Sequence, residues 1–203
     1  MKKDPKASAA VAGARLIHRP WGTLITVLLA LAVFLVPSSG ARLGYDRALI
    51  LEGEWWRCVT GNWVHFSGSH LFWNLVVLLP TGIWLEGRCP RRARLLYVSA
   101  PIAIGAVLLA LDPALSRYAG LSGIASGVVA LLALSHLASS PNDRWFWRAV
   151  LGLIALKIVA EMLVGRPYFA RFVPGDVYAV PLAHLTGVAC ACFLRFRGQR
   201  LPL

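Results

Sequence analysis

Apolar residues run along this chain in six blocks, each close to the roughly 20 residues needed to cross a bilayer, and polar stretches rich in Arg, Pro and Gly separate them. The pattern predicts membrane helices over about 22–36, 67–85, 95–111, 118–138, 145–164 and 177–196. Ahead of them, residues 1–20 form a basic tail and, behind them, 198–203 a short one, so a single membrane domain fills 21–197. The first block ends at Pro37-Ser38-Ser39-Gly40 and has the look of a signal-peptide core. The long basic stretch before it and the coherent set of five blocks after it argue for a retained helix. Between the first two blocks, residues 38–66 are too polar to span, with Arg42, Asp46, Arg47, Glu52, Glu54 and Arg57. Trp55, Trp56 and Trp63 suit the headgroup level, which places this connection in the membrane interface.

Charge adds orientation. There are 21 Lys and Arg against nine Asp and Glu, a formal net charge of +12. Such an excess invites a nucleic-acid reading, but 14 of the 21 fall in clusters that flank apolar blocks, which is how membrane topology is signalled. With the N-terminus inside, those 14 face the cytoplasm and six (Arg42, Arg47, Arg57, Arg117, Arg166 and Arg171) face outward. Both termini are therefore expected in the cytoplasm, and no nucleic-acid partner is expected. The four cysteines are scattered without a CxxC, so neither a zinc site nor a disulfide is inferred.

The polar residues inside the blocks carry the chemistry. Ser122 stands between Gly120 and Gly123, about five residues or roughly 8 Å into the fourth block, and His184 lies about seven residues or roughly 10 Å into the sixth. Both blocks begin on the outer side, so the two side chains reach matching depth. Small residues at four-residue spacing, Gly123 and Gly127 in one and Ala183, Gly187 and Ala191 in the other, allow their backbones to approach closely. His70 and Asn74, four apart, share a face of the second helix. A serine in a membrane helix ordinarily bonds its own backbone, whereas an ionisable residue such as His184 marks a functional site by default. Lys157 and Glu161 read as an i, i+4 salt bridge that lets both charges enter the bilayer. Ser135 and His136 read as interfacial, and His65 is open. With no His-Glu-x-x-His, and with Asp46 and Asp176 in loops, metallo- and aspartyl-protease chemistry is disfavoured.

Taken together, these residues resemble the rhomboid intramembrane serine proteases over about residues 52–191. Trp56-Arg57 resembles the motif of the family's first loop, His65 with His70 and Asn74 its second-helix motif, Gly120-Leu121-Ser122-Gly123 its nucleophile motif, and Ala183-His184-x-x-Gly187 its base motif. The resemblance implies an all-α, six-transmembrane-helix bundle with an interfacial first loop. It implies a Ser122–His184 dyad without a third acid, and oxyanion donors from His70, Asn74 and the backbone amide of Leu121. Trp56, Arg57, Gly120, Gly123 and Gly187 become structural positions, and Glu86 a structural contact at the inner end of the second helix. The fifth helix of rhomboids borders the route of substrate entry, which makes Lys157 and Glu161 a candidate substrate gate. Two positions depart from the family pattern: Ser126, where an aromatic commonly packs on the base, and Ala191, where glycine is usual. Among rhomboids, the short chain and the Lys157–Glu161 pair are most similar to the bacterial rhombosortases, which are associated with C-terminal sorting signals.

The function expected is that of an intramembrane serine endopeptidase of the bacterial inner membrane. Its active site opens to the periplasmic side, its partners are the bilayer and a transmembrane protein substrate, and it needs neither cofactor nor metal. A catalytically inactive rhomboid that binds or chaperones transmembrane clients is the alternative. A small transporter would want inverted repeats, and none is visible.

Overall fold

The computed structural model describes residues 19–139, 141–164 and 180–197. The predicted tails, the loop 165–176 with Arg166 and Arg171, and the expected start of the last helix at 177 lie outside these residues. Within them, long helices occupy all six apolar blocks: α1 (Trp21–Leu35), α5 (Gly68–Arg88), α6 (Pro90–Leu111), α7 (Ser122–Ser139), α8 (Arg144–Val164) and α9 (Pro181–Arg197). Three of them, α5, α6 and α7, are long and apolar enough to cross a membrane, and α1 is a shorter apolar helix. Outward positions such as Leu28, Val98, Leu153 and Phe193 are exposed and apolar, as lipid-facing surfaces are.

α7 is the axis of the bundle. It is more deeply buried than α5 or α6, and it packs on α5, α6, α8 and α9. The small-residue stripes explain its closest contact. A Cβ added to Gly123 would lie 2.9 Å from the Ala183 carbonyl oxygen, one on Gly127 2.7 Å from that of Gly187, and one on Gly187 1.9 Å from that of Gly123. Backbone touches backbone along the seam, as the four-residue spacing predicts.

α1 is held differently. Glu86, 1% exposed on α5, accepts hydrogen bonds from the amides of Gly22 (3.1 Å) and Thr23 (2.6 Å) and from the Thr23 hydroxyl (2.7 Å). A carboxylate at a helix N-terminus satisfies orphan amides and complements the helix dipole. The resemblance implies a structural contact for Glu86, and one forms here, near the C-terminal end of α5.

The connection 38–66 is too polar to be one long helix and breaks into three short ones, α2 (Ser39–Leu43), α3 (Arg47–Leu51) and α4 (Arg57–Thr60), with a 3₁₀ turn at Gly61–Trp63. Arg57, 6% exposed, ties it together by donating to Glu54 (2.5 Å) and to the carbonyls of Ala41 (2.8 Å) and Gly44 (3.0 Å). Trp56, half exposed, donates to the Arg42 carbonyl. Two residues, β1 (Tyr45–Asp46), pair antiparallel with β2 (Arg117–Tyr118), Tyr45 opposite Tyr118.

That pairing corrects one expectation. The apolar pattern predicts a fourth helix from Tyr118, but residues 117–118 are extended and Gly120 turns the chain at φ +123°, a conformation that suits glycine alone. The helix therefore begins at Ser122, which is its first residue rather than one about five residues inside it. Ser135 and His136, near the end of the same helix, pack inward: they are 8% and 7% exposed, with the His136 ring stacked on Trp147 at 4.3 Å and edge-on to Trp84 at 5.0 Å.

Candidate active site

Ser122 opens α7 and His184 lies in the first turn of α9, so the α7–α9 seam carries both to the same end of the bundle. Ser122 Oγ is 2.9 Å from His184 Nε2. The seam's close approach is what sets this distance, because His184 is one turn from Gly187.

Behind the imidazole lies a carboxylate. Glu161 Oε2 is 2.7 Å from His184 Nδ1, and Lys157 donates to the other carboxylate oxygen, Oε1, at 2.7 Å. Lys157 Nζ also lies 3.1 Å from His184 Nδ1. Glu161 is 3% exposed and Lys157 31% by side chain, so the predicted i, i+4 pair forms with its acid turned inward. The resemblance implies a base with no acid behind it; this chain places one there. The hydroxyl of Ser126 bonds back to the Ser122 carbonyl at 2.9 Å.

On the opposite side of the Gly120 turn stand His70 and Asn74, 7% and 6% exposed. A Cβ on Gly120 would meet the His70 ring at 2.6 Å and the Asn74 side-chain nitrogen at 3.7 Å. Glycine thus serves twice at this position, by its backbone angle and by leaving room for the His70 ring beside the Gly120–Ser122 loop. Asn74 also donates to the His70 carbonyl at 3.0 Å. The Tyr118 hydroxyl donates to the Gly120 carbonyl at 2.9 Å, and the Gly120 amide to the Gly61 carbonyl at 3.2 Å, so the turn is anchored from both sides.

His65, left open by sequence, proves to be part of this wall. Its Nδ1 is 3.1 Å from the Trp63 carbonyl, and its Nε2 is 3.5 Å from the Leu121 amide. A carbonyl can only accept, so Nδ1 carries the proton and Nε2 receives the amide. Burial pushes the His65 pKa down to about 4, which keeps the ring neutral and able to accept. The signal for it was the spacing His65 to His70; what that spacing could not tell was that the imidazole would face the Leu121 amide.

The structure thus brings Ser122, His184, His70, Asn74, Gly120, Leu121, Lys157 and Glu161 into one neighbourhood, while Trp56 and Arg57 are occupied within the first loop. Among the described residues, no three His, Cys, Asp or Glu side chains converge in a group able to hold a metal ion. A family model described as the Rhomboid domain matches residues 52–199, which takes in α4 to α9. The chain belongs to the rhomboid family. It is an integral membrane protein of a family of intramembrane serine proteases that act on transmembrane substrates within the bilayer. No curated protein matches the chain. In this rhomboid, α1 lies ahead of the matched stretch and is held to it by Glu86.

Proposed function

We propose that this rhomboid is an intramembrane serine endopeptidase in which Ser122 is the nucleophile and His184 the general base. The 2.9 Å Ser122–His184 contact carries the reading. His184 Nε2 takes the Ser122 proton as Oγ attacks a peptide carbonyl, then returns it to the leaving amine; water, deprotonated by the same imidazole, releases the acyl-enzyme. Negative charge on the carbonyl oxygen develops at the N-terminal tip of α7, where the first amides lack acceptors within their own helix and the dipole favours an anion. His70, Asn74 and the Ser122 amide are the donors; the Leu121 amide expected in this role is bonded to His65 Nε2. Asn74→Ala and His70→Ala are each expected to lower turnover by about 10²–10³-fold with little change in KM. Full rate in both variants would remove α5 from the site.

Six helices cross the membrane in this proposal, with both termini cytoplasmic and the Ser122 end of the bundle opening to the outer, periplasmic side of a bacterial inner membrane. The charge distribution supports it: Arg88, Arg91, Arg92 and Arg94 cluster at one end of α5 and α6, with Arg144 and Arg148 entering α8. Reporter fusions after Arg94 and Arg144 should report cytoplasm and a fusion at Arg117 the outer side; the inverse pattern would refute the orientation. The substrate class proposed is a C-terminal membrane anchor of the sorting-signal type. Comparing membrane proteomes of cells carrying the parent and Ser122→Ala tests this directly. Proteins that keep their C-terminal anchors only in the variant are the expected result. Identical proteomes would favour an inactive, client-binding rhomboid.

A further inference from the structure

We propose that Glu161, clamped by Lys157, is the positioning residue of His184, so that the site works as a Ser122–His184–Glu161 relay in place of a bare dyad. The inference rests on the Ser122–His184 reading above. It begins with the protons. His184 Nδ1 has two neighbours, Glu161 Oε2 at 2.7 Å and Lys157 Nζ at 3.1 Å, and they demand opposite tautomers. Lys157 is a donor only, whereas an ionised Glu161 is an acceptor only.

If Nδ1 were a bare lone pair, Lys157 would be satisfied, but a carboxylate oxygen would face that lone pair at 2.7 Å with no proton between them. If Nδ1 carries the proton, Glu161 gains a short, charge-assisted bond. Lys157 then loses little, because it already donates to Glu161 Oε1 at 2.7 Å and its remaining protons rotate away. The carboxylate cannot rotate its lone pairs away; the ammonium can. The geometry therefore selects Nδ1–H, which leaves Nε2 as the acceptor of the Ser122 hydroxyl at 2.9 Å. That is the tautomer a general base needs.

Lys157 has a separate task. A carboxylate 3% exposed within a membrane helix is costly unless paired. The ammonium occupies the outer oxygen and leaves the inner one to the imidazole. The two charges sit at i and i+4 on α8, so one helix delivers a preassembled, net neutral unit to the back of the base. With Ser126 bonded to its own helix, Glu161 is the group that fixes the His184 ring from behind. Substrate contact is not required of either residue.

The test uses the full-length protein in detergent micelles with an alkyl fluorophosphonate as the probe. Its reaction forms the Ser122 Oγ–P bond, breaks P–F with fluoride leaving, and passes the hydroxyl proton to His184 Nε2. Glu161→Gln is expected to lower the maximal labelling rate by about 10²–10⁴-fold, as misorienting a base does, with half-saturating probe concentration unchanged within about twofold. Because Glu161→Gln strands the Lys157 charge, the neutral pair Lys157→Met with Glu161→Gln is measured beside it. It should fold and label as slowly. A folded neutral double variant labelled at the parental rate, while Ser122→Ala is not labelled, overturns the positioning role and leaves the protease reading standing. Labelling of Ser122→Ala at the parental rate defeats the protease reading itself. Independently of any change at Glu161, ¹⁵N-histidine spectra of the Ser122→Ala protein should show a low-field Nδ1–H proton for His184 at neutral pH. An unprotonated Nδ1 would overturn the proposal.

Discussion

Ser122→Ala is expected to abolish cleavage, lowering turnover by about 10⁴-fold or more, while the variant inserts, purifies and melts like the parent. The hydroxyl lies at the tip of α7, and its interaction with His184 is one contact among the many that hold the α7–α9 seam, so its removal leaves the fold in place. His184→Ala should cost as much, because a nucleophile without its base and a base without its nucleophile are equally idle. The double variant should be no slower than either single one, since the two groups form one proton-transfer unit. Turnover on a substrate drawn from the proteome comparison, measured for all three, decides the matter. Parental turnover in Ser122→Ala would end the nucleophile assignment, and additive losses would mean that the two residues act in separate steps.

Gly187→Ala is expected to be nearly as damaging, though Gly187 has no side chain and packs only on the α7 backbone. Its added methyl would lie 1.9 Å from the Gly123 carbonyl oxygen, where real Cβ contacts stay beyond 3.0 Å, so α9 must retreat from α7 by about 1 Å. Overpacking of this kind costs about 1–3 kcal/mol, and here the neighbour is backbone, which cannot swing aside. His184 rides on the same helix one turn away. A displacement of about 1 Å between reacting groups costs about 10²-fold in rate, so even folded Gly187→Ala should lose at least that much. Gly152→Ala on α8, where an added Cβ meets nothing within 4 Å, is the matched control and should cleave and melt as the parent does. A Gly187→Ala protein indistinguishable from it in melting and turnover would show that the seam is looser than described.

How far these features could be read from the chain depended on the range of the interaction. Gly123, Gly127, Ala183 and Gly187 announced the seam because close helix packing imposes a four-residue spacing on each partner, and a spacing is visible in one dimension. Lys157 and Glu161 announced their pairing for the same reason. Their contact with His184 was not visible: it depends on how α8 is rotated against α9, and no periodicity within α8 encodes that. Residues 38–66 were legible as non-spanning from their charges, yet the pairing of Tyr45 with Tyr118 was not, since a two-residue strand has no alternation to detect. That missed pairing is also why the start of α7 fell four residues too early.

The Glu86 clamp has a consequence for how the protein is made. The amides of Gly22 and Thr23 leave the ribosome more than sixty residues before the carboxylate that receives them, so until then they need other acceptors. Glu86 faces the mirror problem, because its 1% exposed site exists only once α1 has stayed nearby. The contact between the two helices is therefore expected to form only after residue 86 has been made. Nascent chains released before and after residue 86 should differ accordingly: the Gly22 and Thr23 amides exchange freely with deuterium in the shorter one and slow sharply once the longer one has docked.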